Sequence, residues 1–315
     1  MKDARIVFMG TPYFAVGVLK KLIEEEKRVV GVITAPDRPS GRGQKVTPSA
    51  VKEYALSQNI PVLQPTNLKS EEFLNKLKSL QADLQIVVAF RMLPKVVWSM
   101  PKYGTFNLHA SLLPQYRGAA PINWAIINSE EKTGVTTFFI DEKIDTGAII
   151  LSEEIEIDPR ETAETLHDKL LFLGSELVID TVELIATGDV KTTPQPETGI
   201  IKEAPKLTTE NTRINWNNSG EQIDAFIRGL SPYPVAWTIL VDKGEELKVK
   251  IYEAKYRAET HSEESGHLSS SKKEMKIAVK DGYLYIKEIQ LPGKRKMDVA
   301  ALLNGYSFTK EAKMV

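Results

Sequence analysis

Asn107 and His109 sit two residues apart in a short strand-like run that opens at Phe106. Side chains at i and i+2 of an extended chain project to the same side, so a neutral amide and an imidazole leave one strand end together. A β-rich run over residues 135–140 then delivers Asp141 and Asp145 at its exit. A carboxylate returning to an amide and a histidine is a constellation for moving protons at a carbonyl-like centre. The ordinary reading of a single strand histidine is a satisfied structural residue. Against it, only four histidines exist; His167 falls inside a long helical pattern, and His261 and His267 lie in a polar, loop-like region. Asn107 and Asp145 would also be odd at strand ends without hydrogen-bond partners. The absence of cysteine excludes disulfides, thiolate metal sites and a cysteine nucleophile. Neither His261 nor His267 has a metal-ligand neighbour at useful spacing, so no metal site is expected.

The elements that must position these groups follow from hydrophobic pattern. An apolar run at 4–9 ends in Gly10-Thr11-Pro12, a one-sided helical pattern spans 14–26, and a second apolar run covers 29–34. Strand, helix and strand at this length form a βαβ unit and imply a parallel sheet. The first turn carries no G-x-G-x-x-G, which argues against dinucleotide binding despite the Rossmann-like layout. Thr47-Pro48 suggests a helix start, with a helix to about Ser57. A third strand at 61–63, an amphipathic helix at 70–80 and a central strand at 84–90 follow. Beyond the loop that holds Ser111-Leu112-Leu113-Pro114 and Tyr116-Arg117-Gly118, a helix is expected from Ala119 to about Ile127, a hairpin arm over 149–157 and a long helix over 162–187 closed by Gly188. Pro194, Pro196 and Pro205 mark 190–207 as a semi-extended linker. After a helix at 219–229, short alternating runs predict a small β-barrel, with 260–273 as a long loop. The expected fold is therefore α/β: a Rossmann-like parallel-sheet domain with helices on both faces (1–189), a linker (190–207) and a small barrel (208–315).

Of the 315 residues, 42% are hydrophobic and 26% charged, as in ordinary soluble globular proteins. No apolar run approaches the roughly 18–20 residues that cross a bilayer, and the charged start MKDARIVFMG does not read as a secretory signal. A cytoplasmic monomer is the expectation. Net charge is −1, with 17 Lys and Arg against 15 Asp and Glu from Leu207 onward, a faint bias only. The loop 37–45 (DRPSGRGQK) interleaves Gly41 and Gly43 with Arg38, Arg42 and Lys45. Its ordinary reading is a solvated surface loop, but such cations also suit phosphate contact. The turn Gly293-Lys294-Arg295-Lys296 offers the same two readings.

NLHASLLPQYRGAAPINWAI followed by DEKIDTG resembles the signature of the folate-dependent formyltransferases, and the resemblance extends over essentially the whole chain. It implies a catalytic Asn107, His109 and Asp145, a folate-contacting loop from Ser111 and Leu112 to Leu113 and Pro114, and an OB-like C-terminal barrel that binds tRNA. It also implies an inserted loop carrying Arg38, Arg42 and Lys45 that enters the acceptor end of the tRNA. The implied reaction moves the formyl group of 10-formyl-tetrahydrofolate, a co-substrate rather than a resident cofactor, to the free amino group of methionyl-initiator tRNA for translation initiation. Phe90-Arg91-Met92-Leu93-Pro94 departs from the family pattern, which bears on backbone contacts to the pterin. Two other readings compete: the same chemistry on a small amine, disfavoured by the second domain, and an inactive RNA-binding protein, disfavoured by the intact triad.

Overall fold

The first apolar run forms β1 (Ile6–Gly10), buried at every position, and is followed by α1 (Tyr13–Glu24) and β2 (Val29–Ile33). β1 and β2 pair in parallel, as the βαβ pattern requires. The computed structural model describes residues 4–40, 45–196 and 199–315. β3 (Arg38–Ser40) and β4 (Lys45–Thr47) form a small antiparallel pair. Next come α2 (Ala50–Ser57), β5 (Val62–Leu63), α3 (Glu71–Ser79), β6 (Leu84–Val88), α4 (Lys95–Trp98) and β7 (Thr105–His109). The helix start expected at Thr47-Pro48 is displaced. Thr47 is held in the ladder opposite Arg38, and Ser49 becomes the cap, its Oγ accepting from the Lys52 N–H at 3.1 Å.

After β8 (Arg117–Gly118) and α5 (Pro121–Ile127) come β9 (Lys132–Phe139), β10 (Ile149–Glu156) and α6 (Ala163–Thr187). The main sheet has seven strands in the order β10-β9-β7-β6-β1-β2-β5. It is parallel from β5 to β7, and β9 runs antiparallel to β7 with Asn107 opposite Phe138 and His109 opposite Thr136. β6 is central, as its apolarity suggests, and the expected hairpin arm is β10, which pairs with the preceding β9 at the edge of the sheet. On one face Val7, Met9 and Val87 pack with Phe73 and Leu77 of α3 and Val97 of α4. On the other, Leu108 lies so close to α6 that a Cβ on Gly174 would come within 2.9 Å of it, and Thr137 meets Thr181 across a 2.8 Å hydroxyl pair. With Leu108 committed to α6, the alternation of the strand sends Asn107 and His109 to the opposite face.

The stretch expected to be a linker is in part an added rung. Thr193 exchanges backbone hydrogen bonds with Ile149 at 2.8 and 2.9 Å, an antiparallel pairing. One compact unit comprises Met1–Gly118, Thr133–Ile155 and His167–Glu203; the other comprises Ala119–Lys132, Glu156–Leu166 and Ala204–Val315. The second unit thus includes α5 and a segment ahead of α6, which the 1–189, 190–207, 208–315 division leaves in the first part. α5 packs on α7 (Gly220–Leu230), the later helix: Asn123 Nδ2 donates to Gly229 O at 2.7 Å.

In chain order β11 (Glu203–Ala204) precedes α7, and after α7, which has a Ser219/Gln222 capping box, come the barrel strands. They are β12 (Ala236–Asp242), β13 (Glu245–Ala258), β14 (Leu268–Ser270), β15 (Met275–Val279), β16 (Gly282–Gln290), β17 (Met297–Asp298) and, after α8 (Val299–Leu303), β18 (Lys313–Met314). β14 falls inside the expected 260–273 loop, its register set by Leu268 opposite Ile277. The sheet runs β14-β15-β16-β13-β12-β18. It closes on itself because Leu268 N donates to Ala312 O and Met314 N to Gly266 O, at 2.9 and 2.8 Å. An α/β unit with a parallel sheet and a small antiparallel barrel is thus the fold that the sequence predicts. Among the described residues no helix is long and apolar enough to cross a membrane.

Candidate active site

β7 ends at His109, whose ring is buried. Its Nε2 lies 2.8 Å from the carbonyl oxygen of Tyr116, in the loop that follows the strand. A carbonyl only accepts, so Nε2 carries the hydrogen, and Nδ1 is the nitrogen left to exchange a proton. Nδ1 faces Asp145, with Oδ2 at 3.9 Å, beyond direct hydrogen-bond range but close for a charge. Asp145 is held by the Gly118 N–H, which donates to Oδ2 at 3.0 Å, and its backbone adopts a left-handed φ of 56°. The structure therefore brings the predicted histidine and carboxylate together. Asn107 shares the strand face with His109, and its Oδ1 is buried without a partner among the described residues, an unspent acceptor that calls for an explanation. Asp141 takes a different role: its carboxylate accepts from the Lys143 N–H and the Thr146 hydroxyl, shaping the turn ahead of Gly147.

The loop Ser111–Pro114 is fastened from below. Ser111 Oγ donates to Gln115 O at 2.6 Å, and Thr136 Oγ1 both donates to Ser111 O at 2.7 Å and accepts from Leu113 N at 3.2 Å. Ser111 and Leu113 are buried, whereas Leu112 and Pro114 are half-exposed. The Ser111 hydroxyl is thus turned to its own loop. Gln115 is fixed in turn by Ile200 O and Lys202 N, and Tyr116 N donates to Lys202 O at 2.6 Å. The residue ahead of the departing Phe90–Pro94 segment, Ala89, has a left-handed φ of 47°; Arg91 anchors the segment by donating to the carbonyls of Pro65 and Thr66.

Of the three cations in the 37–45 loop, Arg38 is exposed on β3. Arg42 and the side chain of Lys45 lie outside the described residues. The loop's base is pinned at Asp37, which accepts from Lys52 Nζ and Gln64 Nε2, each at 2.6 Å. These two donors, Lys52 foremost, hold the Asp37 carboxyl below the usual carboxylate range. Among the described residues no cluster of histidines and carboxylates could hold a metal ion. His167 stacks edge-on against Phe14 at 5.2 Å, and His261 Nε2 sits between the carbonyls of Val279 and Gly282, so both have structural partners.

Pattern reading missed the Tyr116 carbonyl, Arg117 and Gln195. Arg117 reaches Gln195 Oε1 through Nε at 3.1 Å and Nη2 at 2.6 Å, and Gln195 Nε2 donates to the carbonyls of Asp145 and Gly147 at 3.0 and 2.8 Å. The partners of Arg117 and Gln195 are 48 to 78 residues away, so no local spacing reports them, and the Tyr116 carbonyl, seven residues from His109, is a backbone group that leaves no residue-type signal.

A parallel α/β sheet with an amide and an imidazole at one strand end and a carboxylate brought beside them, in a chain that also builds a small closed barrel, is shared with a class of group-transfer enzymes. The chain belongs to the formyl transferase family: the family model described as Formyl transferase matches residues 4–182, and the one described as Formyl transferase, C-terminal domain, matches residues 206–307. It is 63% identical to the methionyl-tRNA formyltransferase of Flavobacterium johnsoniae, over 100% of both chains. To that of Flavobacterium psychrophilum it is 57% identical, over 99% of each. Among solved structures, HypX from Aquifex aeolicus in complex with tetrahydrofolic acid shares the fold, with a TM-score of 0.65 at 20% identity, over 96% of this chain and 47% of that one.

Proposed function

We infer that this chain transfers the formyl group of 10-formyl-tetrahydrofolate to the amino group of methionyl-initiator tRNA, in the cytoplasm and as a monomer. The observation that carries the reading is the His109 ring, whose Nε2 is held by the Tyr116 carbonyl so that Nδ1 faces Asp145. Attack of a neutral amine on the formyl carbon gives a tetrahedral centre with a developing oxyanion and an ammonium proton to remove. The Asn107 amide donates to the oxyanion. His109 Nδ1 takes the proton, and the nearby Asp145 carboxylate stabilises the resulting imidazolium; the proton then passes to the departing folate nitrogen. In the loop Ser111–Pro114 the half-exposed Leu112 and Pro114 contact the folate, while the buried Ser111 and Leu113 hold them in place. Arg38, Arg42 and Lys45 contact tRNA phosphates. Residues 1–189 house the chemistry and 208–315 hold the tRNA, joined by 190–207. That both curated relatives match end to end, barrel included, favours a tRNA acceptor over a small amine.

The test is formylation with 10-formyl-tetrahydrofolate and aminoacylated initiator tRNA, beside elongator methionyl-tRNA and small amine acceptors. Fast transfer to the initiator alone is expected. Transfer to small amines only would retain the site and replace the acceptor. Arg42→Ala is expected to weaken use of tRNA with folate binding and melting temperature unchanged.

A further inference from the structure

Gln195 lies in a stretch whose composition suggests a mere tether, yet the residue is 8% exposed, with its amide nitrogen directed at the 145–147 turn and its amide oxygen at Arg117. Its placement follows from the Thr193–Ile149 pairing. In an antiparallel ladder two steps forward on one strand meet two steps back on the other, which puts Gln195 beside Gly147. Gly147 in turn lies so close to β9 that a Cβ on it would lie 1.6 Å from Phe139 O. The amide orientation is fixed by its partners: carbonyls only accept, so Nε2 faces Asp145 O and Gly147 O, and a guanidinium only donates, so Oε1 faces Arg117.

These contacts close a ring. Arg117 grips Gln195, Gln195 grips the Asp145 carbonyl, and the Asp145 carboxylate accepts from the Gly118 N–H, the residue next to Arg117. The residue before Arg117 supplies the carbonyl that orients His109. Asp145 is thus clamped at both its main-chain and side-chain oxygens, in a left-handed backbone conformation that a free turn would not reliably keep. We propose that Gln195, held by Arg117, is a positioning residue for the transfer reaction: it fixes Asp145 relative to His109. The proposal rests on the reading of Asp145 given above.

Three single variants and one double variant test it. Gln195→Glu keeps the shape and the Arg117 contact but replaces the NH2 group, with its two donors, by one oxygen facing two carbonyls; Gln195→Ala removes both sides; Asp145→Asn removes the charge. Misplacement by a fraction of an ångström to 1 Å lowers a positioned reaction by up to about 100-fold. We expect kcat to fall roughly 10- to 100-fold in both Gln195 variants, with KM for folate and for tRNA changed less than about 3-fold. Adding Gln195→Glu to Asp145→Asn is expected to lower kcat no further, since the group being positioned is already absent. A merely structural glutamine would give the same loss on either background, alongside a lowered melting temperature, and that additivity overturns the proposal. So does wild-type kcat in Gln195→Glu. Wild-type turnover in Asp145→Asn would instead overturn the catalytic reading of Asp145, a result separate from either.

Discussion

Asp224 and Asp145 are both largely shielded carboxylates, one in each compact unit, and they are held in opposite ways. Asp224, on α7, accepts from Arg160 Nη1 at both oxygens (2.8 and 2.7 Å), from Arg228 Nε at 2.8 Å and from the Tyr256 N–H at 3.3 Å. The two arginines are tied in turn to the carbonyls of Ala254 and Glu161. Asp145 has one backbone donor on its carboxylate and a histidine nitrogen at 3.9 Å. A saturated carboxylate has nothing left to exchange; it joins α7 to β13 and to the segment before α6. An unsaturated one keeps lone pairs for a proton carrier or a substrate. The difference teaches that burial alone does not set what a carboxylate can do; the hydrogen-bonding capacity left over, and the group it faces, must be read with it.

The largest expected contrast is in stability. Asp224→Ala strands two guanidinium groups, one of them well buried, and is expected to destabilise the fold by about 3–5 kcal/mol, read from denaturant unfolding. Asp145→Asn should move stability by less than about 1 kcal/mol; a larger loss there would erase the distinction. The rates should invert the order. Asp145→Asn, His109→Ala and Asn107→Ala should each lower kcat by roughly 100-fold, or about 2.7 kcal/mol of barrier, in single-turnover formylation. Wild-type turnover in both Asn107→Ala and His109→Ala would show that the chemistry lies elsewhere. A smaller effect tests α7 without touching Asp224: Ser219→Ala removes the capping hydroxyl and is expected to cost about 1 kcal/mol in thermal unfolding. The smallest concerns the exposed Arg38. Its replacement by alanine should weaken tRNA binding only a few-fold and reduce the salt dependence by about one counterion, while folate binding stays constant.

The sequence announces what is local or periodic. The alternation in TFNLH places Asn107 and His109 on one face, and the apolar run of β6 marks a central strand, because both depend on neighbours two residues away. It is silent where a group's role depends on distant pairing. Gln195 reads as linker because its partners follow from the register of Thr193 on Ile149, which no composition encodes. Asp224 reads as one polar residue on a helix because Arg160 is 64 positions earlier. Ser49 and Thr47 both have capping side chains, and the choice between them was made by the β3–β4 ladder. β14 hides in a polar stretch because only Leu268 of its three residues is well buried, so alternation has too little length to show.

The seam of the barrel has a consequence for biosynthesis. β12 is paired on one side by β13, but its other side is met by residues 313–314, and the same short segment joins β14 through Gly266 and Leu268. While the chain emerges from its N-terminus at about 5–20 residues per second, two strand edges stay open for the whole interval between the appearance of β14 and that of Lys313. Open edges invite pairing with other chains. The nascent barrel is therefore most vulnerable just before its completion, when nearly every strand has been made and none of the seam has closed.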